Sequence, residues 1–262
     1  GATNFEDCAA LLVKAPEKYV FVDSPYNVNR SGVLYEGLRT KFFKNTLPYR
    51  GEHSLIWNEN KFADFITGKS ELFSPGSLKI FEPLPEPQLT RSVLIYPGAD
   101  DPRHRWEPEK FAAAAEYILT ENRKAQVLFS GYPQEKNLID SIKNMLPPEL
   151  QSRIKISIVS PDKFIDIKQL ISNVKHAGLV ITNAAAPLHI AACFGVKTLC
   201  VTGGWHWGVF APCPEYPNAT FIHHPMTCYK CGGYCSYKAI PFKCLQDLST
   251  ETILQNIDKV KY

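Results

Sequence analysis

The sequence lacks the features that would place the chain across a membrane or on nucleic acid. No apolar run reaches the roughly 18 residues that a transmembrane helix needs. No run of five or more Lys and Arg residues occurs, and a net charge of +3 is too small for a nucleic-acid footprint. The first thirty residues also lack the three sections of a signal peptide. We expect a soluble, cytoplasmic chain without a nucleic-acid partner.

The composition lacks any mark of disorder, since 45% of the 262 residues are hydrophobic and 21% are charged. Those values are ordinary for globular proteins, so the chain can bury the core of one large domain or two small ones. Three of the eight cysteines, Cys8, Cys193 and Cys200, lie in apolar segments, where a free thiol is a common core residue. The other five are concentrated towards the end of the chain.

From Ser92 onward, short β-rich runs alternate with segments of helical period. Strands are predicted at 92–97, 126–130, 155–160, 179–182 and 198–202, and helices from Pro108 and at 134–145, 164–177, 187–194 and 250–260. This alternation is typical of βαβ units and of a parallel sheet with helices on both faces. The fold class is therefore α/β, with a Rossmann-like parallel sheet.

The first ninety residues are less regular. They contain one clear strand at 19–23, helix-like segments at 31–44 and 59–67, and a Pro-rich stretch at 83–87 that is typical of a linker. Because a complete Rossmann domain needs about 100 residues or more, residues 1–90 are predicted to be a partial α/β domain with its linker. Residues 91–262 then form the main domain, which includes a cysteine-rich loop at 213–244.

A loop with candidate binding residues follows the strand at 179–182. In parallel sheets, ligands lie beyond the carboxyl ends of strands, where helix N-termini attract phosphate. The loop Asn183-Ala-Ala-Ala-Pro187 would let an anion approach its backbone amides, His189 would add a donor, and Gly203-Gly204 follows the next strand. The alternative is a plain tight connection with a packed histidine.

A second loop, residues 97–106, follows the first strand of the main domain and contains Gly98, Arg103, His104 and Arg105. Guanidinium groups match pairs of phosphate oxygens, so these arginines could bind a diphosphate. A solvated charged turn is the alternative. Farther along, Glu135 follows Gly131 and could accept hydrogen bonds from a ribose or base, or serve only as a partner for the helix dipole.

Four cysteines near the end have the spacing Cys228-x2-Cys231-x3-Cys235-x8-Cys244. Four thiolates at short spacing in a loop-rich segment suit a tetrahedral zinc or iron site, in which His223 or His224 could replace one thiolate. Disulfides and free thiols are the alternatives that the spacing leaves open.

Several motifs, taken in order, resemble the donor-domain signature of the family 9 glycosyltransferases, typified by the ADP-heptose:lipopolysaccharide heptosyltransferases. The motifs are Tyr96-Pro-Gly-Ala, His104-Arg-Trp106, Phe111-Ala, Phe129-Ser-Gly with Glu135, Val180-Ile-Thr-Asn183 with Pro187-Leu-His189, and Gly195-Val with Thr198. The segments 203–212 and 228–244 are similar to a branch of the family with a cysteine group. Residues 20–31 are similar to the middle of the acceptor domain.

The resemblance implies a GT-B fold and an inverting transfer of a heptose or related sugar. The donor would be an ADP-sugar or another nucleotide sugar, the acceptor a glycan or lipopolysaccharide-type molecule, and the step would need no metal. Peripheral association with the inner face of the cytoplasmic membrane is compatible with such an acceptor. The resemblance assigns donor binding to Gly98, Arg103, His104, Arg105, Gly131, Glu135, Asn183, Ala186, Pro187, His189, Gly203 and Gly204.

The resemblance leaves the catalytic residue unassigned, because the Gly-Asp loop that would hold the base belongs to a part of the acceptor domain without a match here. The chain also departs from the family pattern. Three alanines, 184 to 186, replace the Asp-Thr-Gly of the usual Asn-Asp-Thr-Gly-Pro, and His104 replaces a lysine. The alternative function is therefore a catalytically inactive module that binds a nucleotide sugar, or a scaffold stabilised by a metal.

Overall fold

The computed structural model describes residues 17, 19–22, 45–48, 55–68, 81–160, 162–205, 207–208 and 211–260. The chain divides into two compact units, one of Gly1–Ser74 with Gly208–Glu215 and the other of Pro75–Trp207 with Tyr216–Tyr262. The helix expected at 31–44 and Cys8 lie outside the described residues. The domain boundary expected near residue 90 stays a prediction.

The first unit contains a pair of parallel strands and a helix. Strand β1 (Tyr19–Val22) pairs with β2 (Asn45–Pro48), and α1 spans Leu55–Thr67. The strand expected at 19–23 is thereby confirmed, and the helix expected at 59–67 begins one turn earlier. Strand β2 has the sequence Asn-Thr-Leu-Pro, which contains no run of β-branched or aromatic residues that could have predicted it.

The second unit is built on a parallel sheet of six strands. The strands are β3 (Val93–Tyr96), β4 (Val127–Gly131), β5 (Ile154–Ile158), β6 (Leu179–Asn183), β7 (Thr198–Val201) and β8 (Ala219–Ile222). They lie in the order β5-β4-β3-β6-β7-β8, which is the strand order of a dinucleotide-binding Rossmann fold. Five strands confirm the sequence prediction, and β8 was missed.

Helices cover both faces of this sheet. They are α2 (Pro108–Glu121), α3 (Lys136–Met145), α4 (Pro148–Gln151), α5 (Phe164–Lys175), α6 (Ala186–Phe194), α7 (Lys243–Gln246) and α8 (Thr250–Lys259). Buried residues of α2, α3 and α8 pack on one face, and those of α5 and α6 pack on the other. Because both faces are covered, every residue of β3, β4, β6 and β7 is buried.

Local sequence explains where these helices begin and end. Pro108 occupies the first turn of α2, where its missing N–H costs nothing, and Phe111, Ala115 and Ile118 form its fully buried stripe. Helix α6 ends at Gly195, whose φ of 66° lies in the left-handed region that glycine adopts without strain. In the part of the chain that the structure describes, no helix is long and apolar enough to cross a bilayer.

Candidate functional site

The strand order reverses between β3 and β6, and the candidate residues follow these strands. Strands β3 and β6 are neighbours in the sheet, with Tyr96 opposite Thr182. The chain proceeds from β3 to β4 on one side and from β6 to β7 on the other. At such a switch point the loops beyond the carboxyl ends separate and leave the crevice in which α/β proteins bind ligands.

Asn183 joins the two loops at this point. It is the last residue of β6 and is buried. Its Nδ2 donates to the carbonyls of Pro97 and Gly98 at 2.8 and 3.1 Å, and its Oδ1 accepts from the amide of Trp106 at 3.0 Å. These three bonds use both sides of the amide to hold the start and end of the 97–106 loop. Its predicted contact with a donor stays a prediction.

Arg105 and Glu135 meet beside the same loop. The guanidinium of Arg105 donates to the carbonyl of Ala99 at 2.7 and 3.0 Å and lies 3.3 Å from Oε1 of Glu135. Glu135 is only 2% exposed, and its Oε2 accepts from the amide of Tyr132 at 2.9 Å. The sequence left open whether Glu135 merely faces the helix dipole, and the structure pairs its buried carboxylate with an arginine.

The Glu135 carboxylate fills the space beside Gly98. A Cβ added to Gly98 would lie 2.0 Å from Oε1 of Glu135, so any larger residue here would displace that carboxylate. Gly131, at the end of β4, also borders Glu135, whose Oε2 would be 3.0 Å from an added Cβ. Burial, and then the charge of Glu135, raise the pKa of the nearby Tyr96 hydroxyl. The two glycines thus make room for a buried carboxylate at the switch point.

Arg103 and His104 take different positions in the same loop. Arg103 is exposed, pairs with Asp101 and lies over the Phe242 ring, 5.4 Å from its centroid. His104 instead stacks on Trp205, with ring centroids 4.2 Å apart and 8° between the planes. Burial lowers the pKa of the His104 ring, which favours its neutral form. The loop after β3 therefore contacts the segment after β7 through an aromatic pair.

The glycines after β7 accommodate aromatic side chains of the chain itself. A Cβ on Gly203 would lie 1.9 Å from the Trp205 ring, and one on Gly204 would lie 2.3 Å from the Tyr229 ring. The Gly204 amide donates to Sγ of Cys244 at 3.4 Å, and the Lys230 amide donates to the Gly204 carbonyl at 2.7 Å. Trp205 thus covers Gly203, and the cysteine-rich loop covers Gly204.

Helix α6 begins directly behind Asn183. Ala185 occupies the N-cap position and provides no side-chain cap, and Ala186 and Pro187 form the first turn. His189 lies one turn inside, and its Nδ1 is 2.8 Å from the hydroxyl of Tyr216. Burial lowers the pKa of His189, which favours its neutral ring. The N-terminal amides of α6 are suited to an anion at the carboxyl edge of the sheet.

Three of the four cysteines of the predicted metal site, Cys228, Cys231 and Cys235, lie near enough to Cys244 to act on its thiol. Burial raises the pKa of the Cys244 thiol, and repulsion from Cys228, Cys231 and Cys235 raises it further. The Phe242 amide donates to Sγ of Cys235 at 3.2 Å. None of the described cysteines forms a disulfide. Within the described ranges, no three His, Cys, Asp or Glu side chains already have the arrangement of a metal site.

The structure thus brings most predicted residues to one edge of the sheet, around the loops after β3, β6 and β7. Sequence reasoning missed several side chains that complete this edge, namely Tyr96, Tyr132, Tyr216, Tyr229 and Phe242. Tyr216 and Phe242 are distant in the chain from the residues they contact. No local pattern signals such contacts.

Comparison with known proteins gives a consistent result. The chain matches the model of "Glycosyltransferase family 9 (heptosyltransferase)" over residues 78–237, which is more than half of its length. Lipooligosaccharide heptosyltransferase 2 of Campylobacter jejuni subsp. jejuni serotype O:6 is 25% identical over 244 residues, or 88% of this chain and 72% of that protein.

Two solved structures show the same fold. The E. coli ADP-heptose LPS heptosyltransferase II has a TM-score of 0.61 at 16% identity, over 94% of this chain and 70% of that one. The iron-containing dodecameric glycosyltransferase TibC from enterotoxigenic E. coli H10407 has a TM-score of 0.50 at 13% identity, over 82% of this chain and 59% of that one. The predicted α/β fold class, with a Rossmann-like donor domain of GT-B type, is confirmed.

Proposed function

The chain belongs to glycosyltransferase family 9, and from this premise we propose that it transfers a heptose or a related sugar from an ADP-linked donor to a glycan or lipopolysaccharide-type acceptor. The observation that carries the proposal is the convergence at the switch point. There, Asn183 holds the loop after β3 against the end of β6, with Arg105, Glu135 and the start of α6 nearby. A nucleotide diphosphate fits the chemistry of this edge.

The donor would lie across the carboxyl ends of β3 and β6. The amides at the start of α6 and the Arg105 guanidinium would stabilise the negative charge that develops on the departing diphosphate. The Nε2 of His189, whose Nδ1 is engaged by Tyr216, would add a neutral donor. The buried Glu135 carboxylate would hold the Arg105 guanidinium in place for the donor. Donor binding by Gly98, Arg103, Gly203 and Gly204 is part of the same proposal.

The reaction class that fits these groups is an inverting transfer. A base would remove the proton of the acceptor hydroxyl while the diphosphate leaves from the opposite side of the sugar. We assign no residue of this chain to that base. The described residues at the switch point act on the leaving group, so they account for the donor half of the reaction only.

The alternative, an inactive module that binds a nucleotide sugar, would bind the donor without transferring it. The three alanines at 184 to 186 remove side-chain groups from the loop but leave its backbone amides in place. Family membership does not favour this alternative, because the curated relatives are named as heptosyltransferases. Affinity and turnover must therefore be measured separately.

The place of action follows from the acceptor. A lipid-linked glycan lies at a membrane surface while the nucleotide sugar is made in the cytoplasm, so we propose that the chain works in the cytoplasm at the inner face of the cytoplasmic membrane. No bilayer-spanning helix occurs among the residues that the structure describes. Any attachment of these residues to the membrane would therefore be peripheral.

A structural zinc or iron ion at Cys228, Cys231, Cys235 and Cys244 is a separate part of the proposal. Its support is the proximity of the other three thiols to Cys244 and the N–H donors to two of the sulphurs, Cys235 and Cys244. Thiolates are the ligands that these metals prefer. Metal analysis of the purified protein should give one ion per chain, and four freely titratable thiols without metal would contradict it.

The transfer itself is tested by incubating the protein with ADP-heptose and a heptose-deficient lipooligosaccharide. The proposal predicts release of ADP that depends on the acceptor, together with a mass gain of one heptose on the acceptor. Binding of ADP-heptose without either product would identify the chain as the inactive module.

A further inference from the structure

Within the cysteine-rich loop, the outer side of residues 228–243 carries large apolar side chains in solvent. Tyr234 is 77% exposed, Tyr237 is 39% exposed and Ile240 is 46% exposed. These three residues lie within one short segment and do not contribute to either core cluster. Exposed apolar side chains that occur singly are ordinary, but a cluster with a polar border is typical of an interaction surface.

The loop itself carries charge of one sign. No Asp or Glu occurs between Glu215 and Asp247, whereas the same stretch contains three lysines. Lys243 pairs with Asp247, but Lys230 and Lys238 are exposed and have no ion-pair partner within the described part of the chain. The loop therefore presents two uncompensated ammonium groups beside its aromatic side chains.

The inner side of the loop is fixed to the rest of the unit. The amides of Lys230 and Gly232 donate to the carbonyls of Gly204 and Trp205 at 2.7 and 3.0 Å. Phe242 and Cys244 are buried, and Phe242 packs edge-on against Trp205 at 5.6 Å between ring centroids. Because these contacts fix the inner side of the loop, the exposed tyrosines and lysines are kept on its outer side.

We propose that this surface docks onto an anionic lipid bilayer. Tyrosine rings are favoured at the headgroup level, where the ring is partly desolvated and the hydroxyl stays wet, and lysines are attracted to anionic headgroups. Its charge makes a second copy of the same surface a poor partner, because a symmetric contact would place lysines against lysines. This proposal rests on the proposed function, in which the acceptor is linked to a membrane lipid. It adds the residues that would contact the membrane.

The test is sedimentation of the full chain, as purified, with vesicles. Vesicles of phosphatidylglycerol and phosphatidylethanolamine are compared with vesicles of phosphatidylcholine alone. We expect binding to the anionic vesicles only, and loss of that binding at 0.5 M salt, where surface charges are screened over a few ångströms. Equal binding to both vesicle types, or binding to neither, would overturn the proposal without any variant.

Variants then locate the surface. The double variant Lys230→Glu, Lys238→Glu should weaken binding by about tenfold or more, since each lysine near an anionic surface contributes about a factor of five. Replacing Tyr234 and Ile240 with serine should weaken it at low salt as well. Ile165→Ser is the matched control, because Ile165 is 59% exposed on α5, outside the cysteine-rich loop, and is followed by Asp166. Unchanged binding by the loop variants would overturn the proposal.

Two further measurements separate the outcomes. The molar masses of the wild type and of each variant in solution are measured by light scattering. If the wild type self-associates and binds no vesicles, and a loop variant loses that self-association, the surface belongs to a contact with a second copy instead. Stabilisation by ADP-heptose is measured without vesicles. If that stabilisation persists while vesicle binding fails, the docking surface is wrong and the proposed function stands.

Discussion

The imidazole of His104 lies parallel to the indole of Trp205, with 4.2 Å between ring centroids. His104 belongs to the loop after β3 and Trp205 to the segment after β7, two strands away in the sheet. Phe242 packs edge-on against both rings, at 5.0 and 5.6 Å. The cysteine-rich loop thus packs against the candidate site through Phe242. A substitution in either region is therefore expected to affect the other.

The His104–Trp205 pair should contribute a measurable coupling free energy. Aromatic pairs in this geometry contribute about 1 kcal/mol beyond their buried area. A double-mutant cycle with His104→Ala and Trp205→Ala, followed by urea unfolding, should give a coupling of about that size. His104→Ala combined with Tyr117→Ala is the control, because the Tyr117 hydroxyl instead bonds Asp258 on α8, and additive effects are expected there. Additivity for the first pair would contradict the account.

Asn183 should be a major determinant of stability. Replacing it with alanine leaves the Pro97 and Gly98 carbonyls and the Trp106 amide without their partner in a buried place. The expected loss is about 3 kcal/mol in the free energy of unfolding. Asn218→Ala removes one exposed bond to the Gly195 carbonyl and should cost less than about 1 kcal/mol. A similar small loss for both variants would show that Asn183 does not hold the loop.

Gly98→Ala tests the packing of the Glu135 carboxylate. The added methyl group would lie 2.0 Å from Oε1 of Glu135, so the carboxylate must leave its place beside Arg105. Overpacking of this kind costs about 1–3 kcal/mol, and the break in the ion pair adds to it. Gly178→Ala, where the nearest atom is 3.4 Å away, is the matched control and should be tolerated. Equal denaturation midpoints for the two variants would contradict the geometry.

His104 should make stability depend on pH below neutrality. Burial lowers the pKa of its ring below the ordinary value of 6.5, so between the two values the unfolded chain binds more protons than the folded chain. The contribution is fully present above pH 6.5 and is lost as the pH falls through the folded pKa. Urea unfolding at pH 7.5 and 5.5 should show a smaller loss for His104→Gln than for the wild type. The same loss in both chains would refute this assignment.

The sequence predicts the central sheet well because buried parallel strands leave a strong local pattern. The runs Val93–Tyr96 and Thr198–Val201 are continuous apolar or β-branched segments, and the apolar stripe of α2 repeats at helical spacing. Strand β8 escapes prediction because, among the strands that the structure describes, it pairs only with β7, and because it exposes Thr220. Its place in the sheet depends on that pairing rather than on its own composition.

The candidate site is predictable in its location but not in its contacts. The carboxyl ends of β3 and β6 follow from the alternation of strands and helices. The partners of Asn183, the stacking of His104 and the tyrosine at His189 depend on chain segments far apart in sequence. The Gly98, Gly203 and Gly204 motifs suggest phosphate loops, whereas the structure also fills their open sides with Glu135, Trp205 and Tyr229.

The most direct test of the account is calorimetric titration of the protein with ADP-heptose, with GDP- and UDP-sugars for comparison. We predict saturable binding of the ADP-sugar, a loss of affinity of about tenfold or more for Arg105→Ala, and no change for the exposed Arg123→Ala. Absence of binding by every nucleotide sugar, or the same affinity in Arg105→Ala as in the wild type, would contradict a donor site at the β3–β6 switch point.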